Sequence, residues 1–387
     1  GWALSKESFL SNVKGLDFLK IRGGYGLIGN SSIGVTNASS IIAGSGSQNY
    51  NYVFGPNQGL VLGAYAGSPA QQLSWEKTQE INAALDFEFL DRRLSGSVDY
   101  YNRLTTNAIL QVKPVASGPY KDTYYDHGAK IRNSGVELAL NWKDNLGQDF
   151  NYYIGGTLGS NKNRLEDVKP AYDGQTGGSL ANSQITKRIA EGQPLYAWWM
   201  YEADGVWQTQ SEIDNNAHVT GAQPGQLRYK DLNGDGQIDD RDKKYFGSYL
   251  PTYTYGINIG FSWKNLDFSA DGYGVGGNKV YNGLKSTRIN GGENITADTF
   301  NNRWTGPGTS NTNPGANRTA IASSYYLEDG AFFRINNITV GYTFKDVIKD
   351  VNKIRIYGTA QNPFMFTKYT GFTPEINSNG DPSQTTG

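Results

Sequence analysis

A chain of 387 residues with 35 basic and 36 acidic side chains, no strongly basic run and a formal net charge of -1 lacks the electrostatic footprint of a nucleic-acid binder. It has no cysteine, which excludes disulfide staples, thiolate metal sites and a cysteine nucleophile, and only two histidines, His127 and His218. Abundant Gly (49) and Tyr (26) with 18% charged residues is the bias of many strands and many turns, and favours one large all-β architecture over two or three ordinary domains.

In chain order, Leu19, Ile21, Tyr25 and Leu27 alternate with Lys20, Arg22, Gly24 and Gly26, which predicts a strand over 16–28. Residues 31–74, rich in Ser, Asn and Gly without a sustained period, read as a long loop. A hairpin over 75–104 follows. Ile81, Ala83, Leu85, Phe87 and Phe89 share one face and Glu80, Asn82, Asp86 and Glu88 the other; after Asp91-Arg92-Arg93 the alternation resumes with Leu94, Gly96, Val98 and Tyr100. Thr105–Lys130 holds Pro114 and Gly118-Pro119, which break any strand they fall in. A second hairpin carries Val136, Leu138, Leu140 and Trp142, then Phe150, Tyr152, Ile154 and Leu158, and 161–250 reads as the longest irregular region. A third runs from Tyr253 to Trp263 and on through Leu266, Phe268 and Ala270. After another Gly-, Asn- and Thr-rich stretch, a fourth pairs Ile338, Val340, Tyr342 and Phe344 with Ile354 and Ile356.

Every hairpin has its short turn at one end (91–93, 144–149, 264–265, 345–352), while tens of residues join the opposite ends. Aromatic side chains of the apolar face stand beside those turns. That pattern predicts an antiparallel transmembrane β-barrel with long extracellular loops and an aromatic girdle at one interface. A mean hydropathy of -0.56 and the absence of an apolar run near 18 residues argue only against membrane helices, because alternating strands average out. The competing account is a large soluble antiparallel sheet.

Residues 231–242 fit the twelve-position calcium-loop pattern: Asp231, Asn233 and Asp235 supply oxygens, Gln237 a carbonyl, Gly236 the sharp turn, and Asp239 and Asp242 the closing carboxylates, with Asp242 where a Glu is usual. The expectation is a lone structural Ca2+ site; the alternative is an ion-free Asx-rich turn. Gly24-Tyr-Gly26-Leu-Ile-Gly29 matches a dinucleotide fingerprint but no helix follows, so small residues on a strand are the better account. Loop aromatics, above all Trp198, Trp199, Tyr201 and Trp207, with Tyr50, Tyr52, Tyr124, Tyr125, Tyr325 and Tyr326, suit either contact with a ligand or lid, or packing of the loops on one another. Two unpaired histidines give no nucleophile–His–acid set, so no catalytic residue is assigned and no enzyme is expected.

The blocks LKIRGGYGLIGN, WEKTQEINAALDFEFLDRRLSGSVDYYNRLTTNAIL, IRNSGVELALNW, GQPLYAWWMYEADGVWQT, PGQLRYKDLNGDGQIDDRDKKYFGSYLPTYTYGINIGFSWKNLDFS, FRINNITVGYTF and IRIYGTAQNPFMFTKYTGFTPE resemble, in this order, the C-terminal half of SusC/RagA-type TonB-dependent outer-membrane transporters. The resemblance implies a portion of a 22-stranded barrel with a plugged lumen over residues 1–387, with the plug domain and the TonB-interacting segment outside this chain. It further implies the outer membrane of a Gram-negative bacterium, a SusD-like surface lipoprotein as hinged lid over loops 29–74, 161–250 and 276–331, and energy from the TonB complex for import of glycans or peptides. Two other readings stay open: a SusC-like barrel kept as a subunit of a larger outer-membrane assembly, and a secreted soluble β-rich protein with a calcium loop.

Overall fold

In a computed structural model, the structure describes residues 1–31, 41–43, 65–68, 73–112, 124–170, 172–177, 184, 186–287, 294–316, 320–348 and 350–375. Nine long strands dominate: β1 (Leu16–Asn30), β2 (Glu76–Phe89), β3 (Leu94–Val112), β4 (Tyr124–Leu146), β5 (Phe150–Ser160), β6 (Tyr253–Trp263), β7 (Leu266–Gly276), β8 (Phe332–Ile348) and β9 (Val351–Thr367). Each is antiparallel to its neighbour in sequence, so chain order is sheet order, with Trp2–Ala3 paired on the outer edge of β1. Lys162–Glu166 extends the β5 side of β4, separated from β5 by Asn161, whose N–H turns away to Thr252 O (2.8 Å).

The predicted hairpins are all present, with short turns between β2 and β3, β4 and β5, β6 and β7, and β8 and β9. Two strands run further than their sequence suggests. β3 continues to Val112 and β4 starts at Tyr124, so the prolines expected to break Thr105–Lys130 fall outside the described residues, as do Tyr50, Tyr52 and most of the 29–74 loop. Among the described residues no helix is long and apolar enough to cross a membrane, which says nothing about strands that do.

The two faces of the sheet differ as the alternation requires. Side chains at even spacing from Leu85 line up across strands through Ile21, Val98 and Leu138, and a second row joins Trp142, Ile154, Ile259, Ala270 and Ile338. These rows are not covered: Ile21, Val98 and Ile154 are 45%, 38% and 49% exposed and Leu85 is half-buried, and on the same face Leu140, Ile257 and Val340 are exposed as well. A soluble sandwich would bury such a surface, since exposing contiguous apolar area to water costs roughly 25 cal/mol per Å2. The length fits lipid instead. Ten residue steps from Tyr253 to Trp263 span roughly 33 Å along the strand, which at a tilt of about 40° covers the roughly 25 Å apolar band of a transmembrane barrel.

The girdle beside the short turns is built from ring contacts. Phe150 stacks on Phe261 (centroids 5.6 Å), Phe261 on Phe268 (5.4 Å), Tyr342 meets Phe344 edge-on (4.8 Å), and Trp142 Nε1 donates to Tyr152 Oη (3.1 Å). Amphipathic rings favour the interfacial depth, and offset stacks between neighbouring strands tie that rim together.

Candidate functional site: the polar wall and the loop cap

The opposite face of the sheet is a wall of compensated charges. Arg22 on β1 donates from Nε and Nη2 to both oxygens of Asp86 on β2 (2.7 and 2.8 Å) and reaches past it to Asp99 Oδ1 on β3 (2.8 Å). Arg103 on β3 pairs with Glu80 on β2 (2.8 Å). On β9, Arg355 crosses β8 to grip Asp267 on β7 (2.9 and 2.5 Å). It can do so because residue 341 between them is glycine: a Cβ there would stand 2.5 Å from Arg355 Nη2. Planar guanidinium forks that span two strands hold register as well as charge.

Neither histidine meets the requirements of a catalytic base. His127 Nε2 accepts from the backbone N–H of Ser74 (2.9 Å), which fixes the tautomer so that Nδ1–H donates to Asn107 O (3.0 Å). Ser74 Oγ lies 3.3 Å from that already occupied nitrogen, and no carboxylate orients the ring. His218 Nδ1 pairs with Asn216 O (2.8 Å) on the exposed side.

At the long-loop end the connections read as irregular carry a core of their own. Thr176–Gly177, Lys187–Arg188, Ala197–Tyr201 and Lys243–Tyr245 form a four-stranded antiparallel sheet, Ala203–Val206 pairs with Leu227–Tyr229, and Lys279–Tyr281 with Leu327–Asp329. These strands are two to five residues long and their apolar side chains come from distant loops, so no local period announces them.

The four aromatics singled out in the sequence lie inside this cap. Trp198 is 2% and Trp207 1% exposed, and Trp199 and Tyr201 are also buried. Trp198 Nε1 donates to Lys279 O (2.9 Å) and its ring meets Tyr281 (6.2 Å); Tyr201 packs on Tyr229 (5.2 Å); Trp199 lies between the cations of Arg188 (4.8 Å) and Lys243 (4.6 Å). Their rings face this chain's own side chains, which is the packing role weighed beside ligand contact. Sequence reasoning missed the fully buried Lys187, enclosed by Trp198 (4.9 Å) and Tyr249 (4.2 Å). Its partners are remote in sequence, so no spacing could have found it.

Residues 231–242 close on themselves. Asp231 accepts from Gly234 N (2.6 Å) and Gly236 N (2.9 Å), Asn233 from Asp235 N (2.9 Å), and Asp235 from Gln237 N (3.0 Å). These N–H groups hold the Asp231 carboxyl below its usual range. An Asx-rich turn and a calcium loop share such bonds; the cation differs. Arg241 sits in the cluster, 2.7 Å from both Asp235 and Asp239, and supplies the compensating positive charge. Among the described residues no group of three or more His or acidic side chains gathers to hold a metal ion. The expected set of Asp231, Asn233, Asp235, Gln237, Asp239 and Asp242 is brought into one loop.

Asp242 is the anchor of that loop. Fully buried, it accepts from Leu232 N (2.8 Å) and Asp239 N (2.9 Å). Asp242→Ala removes the acceptor of both amides and is expected to destabilise the cap by about 1–3 kcal/mol, the cost of one unsatisfied buried group, because the Leu232 amide can turn to water. Hydrogen exchange at Leu232 and Asp239 reads the effect, and unchanged protection there would show that the carboxylate is dispensable.

With this geometry in place the chain can be compared with known proteins. No family model matches it. It is 29% identical over 398 residues to TonB-dependent receptor P3 of Formosa agariphila, and 28% identical over 395 residues to TonB-dependent receptor SusC of Bacteroides thetaiotaomicron. The chain is a relative of the SusC/RagA-type TonB-dependent receptors. The SusC-type match covers 99% and 98% of the chain but only 38% and 37% of the two receptors. Among solved structures, the RagAB peptide transporter superposes with a TM-score of 0.73 at 24% identity, over 99% of this chain and 41% of that one. The RagAB importer in its open-open state gives 0.74 at 23%, over 99% and 40%. These superpositions establish the fold, a portion of an antiparallel transmembrane β-barrel, and the two-faced sheet is its wall.

Proposed function

We propose that this chain forms part of the barrel wall and the extracellular cap of a TonB-dependent outer-membrane importer of glycans or peptides, working under a SusD-like surface lipoprotein. The observation that carries the reading is the sheet's asymmetry: bare apolar rows on one side, cross-strand Arg–carboxylate forks on the other, and a packed cap only at the long-loop end. A wall between hydrocarbon and a polar lumen needs that division, and a soluble binding protein does not. The relatives named TonB-dependent receptors support the energy source, and the loop cap is the surface a lid lipoprotein would meet.

Deletion of the gene for the full-length protein is expected to abolish uptake of the imported solute. Collapse of the proton gradient should do the same, and a lipoprotein should co-purify with the tagged barrel. Unimpaired uptake in the deletion strain overturns the importer reading; if a lipoprotein still co-purifies, the barrel is an assembly subunit instead.

A further inference from the structure

A cleft of about 410 Å3 opens in the cap between the segment around Asn282–Lys285, the helix Ala297–Asn302, and Tyr325. Its volume lies in the range of small-ligand sites. What such a cleft can recognise depends on which polar groups along it still have hydrogen-bonding capacity to give.

Most have none. Asn282 spends its oxygen on Lys285 N (2.9 Å) and its amide on Glu328 (3.1 Å) and Thr370 (3.0 Å). Asn313 donates to Asn302 O (3.1 Å) and accepts from Tyr325 Oη (3.0 Å). Thr296 and Thr299 cap and pair with each other. Asn313 keeps one amide N–H, and the charged group with capacity to spare is Lys285. Its ammonium lies 3.8 Å from the centre of the Tyr325 ring and donates to Tyr325 O (3.2 Å), which uses one of three N–H groups. Glu328 is 3.9 Å away, beyond hydrogen-bond reach, and its oxygens already accept from Thr370 N (2.8 Å), Thr370 Oγ1 and Asn282.

We infer that this cleft is a subsite for a carboxylate-bearing ligand, with Lys285 as the recognising cation. The inference rests on the importer reading and narrows its substrate class to acidic solutes. A half-buried ammonium with unspent donors gains most from an anionic acceptor, and the ring beneath it fixes its position. Burial pushes the Lys285 ammonium below its usual range despite the opposing pulls of Glu328 and Asp298. Asp298 also lines the cleft, but it is exposed and has one oxygen held by Asn302 (2.6 Å).

Two sources offer the same carboxylate: an acidic sugar or a peptide C-terminus. The test is calorimetry on the purified full-length protein with trialanine and its C-terminal amide, and with digalacturonate and its methyl ester. Binding of an acid at least about tenfold tighter than its neutral partner is expected, as is loss of about ten- to a hundredfold in Lys285→Met with recovery in Lys285→Arg. The acid that binds identifies the source. Equal affinities within both pairs, or no binding of either acid, overturns the subsite, and the wild-type pairs decide this even where Lys285→Met folds poorly. Acid binding without uptake in cells would overturn the importer and leave the subsite standing.

Discussion

Ile257→Lys is expected to destabilise the full barrel in lipid by about 2–4 kcal/mol, whereas Asn258→Lys, one residue further along β6, is expected to cost little. The two positions lie near the middle of the strand on opposite faces. Ile257 is 45% exposed on the apolar face, flanked by Gly156 and Gly272, so a lysine there has no partner and must place its ammonium in hydrocarbon. Asn258 pairs with Asp271 across the sheet, so an ammonium introduced there meets a carboxylate in a polar setting. Denaturant titration of the full-length protein folded into phosphatidylcholine vesicles separates the two. Equal costs would mean that the faces have been assigned to the wrong sides. The neighbouring pair makes the comparison internal, since strand, depth and introduced side chain are shared.

The barrel was legible because it is written in period two. Leu85, Leu140, Ile257 and Val340 each sit among alternating residues, and the structure leaves all four on the uncovered face. The short turns were legible for the same reason, as interruptions of that period. Strand ends were less so: β3 and β4 extend beyond the last clean alternation because cross-strand pairing carries Ile109–Val112 along against Tyr124–His127. The cap was hidden. Trp198, Tyr229, Tyr281 and Tyr326 form one cluster from four segments tens of residues apart, and no spacing rule links them. The 231–242 motif shows the other kind of limit. Its residue types fit calcium ligation, but Arg241, at a position where the pattern allows any residue, decides how the loop's charge is balanced.

That hidden cluster gives the cap a steep alkaline limit. Burial raises the phenols of Tyr229, Tyr281 and Tyr326 well above the ordinary value of 10.0, each reinforced by the other buried tyrosines or left without a compensating cation, and pushes Tyr201 and Tyr325 up to about 12. A phenol that holds its proton more tightly folded than unfolded contributes stability that is whole below pH 10 and is lost as pH climbs towards the folded value. At about 1.4 kcal/mol per pH unit for each phenol, the three most buried alone remove roughly 4 kcal/mol per unit above pH 10. Lys285 works the other way: its lowered value makes the burial cost fade as pH rises towards 10.5, so it offsets part of the loss below that pH and nothing above it. The full-length protein in detergent should therefore show two classes of tyrosine by phenolate absorbance. The cap tyrosines ionise in a single cooperative step above pH 10, together with the fluorescence change of Trp198 and Trp207. Tyr229→Phe combined with Tyr326→Phe removes two of the phenols and should move that step to higher pH. One smooth titration of all tyrosines, with tryptophan fluorescence unchanged, would mean that the cap is open to water.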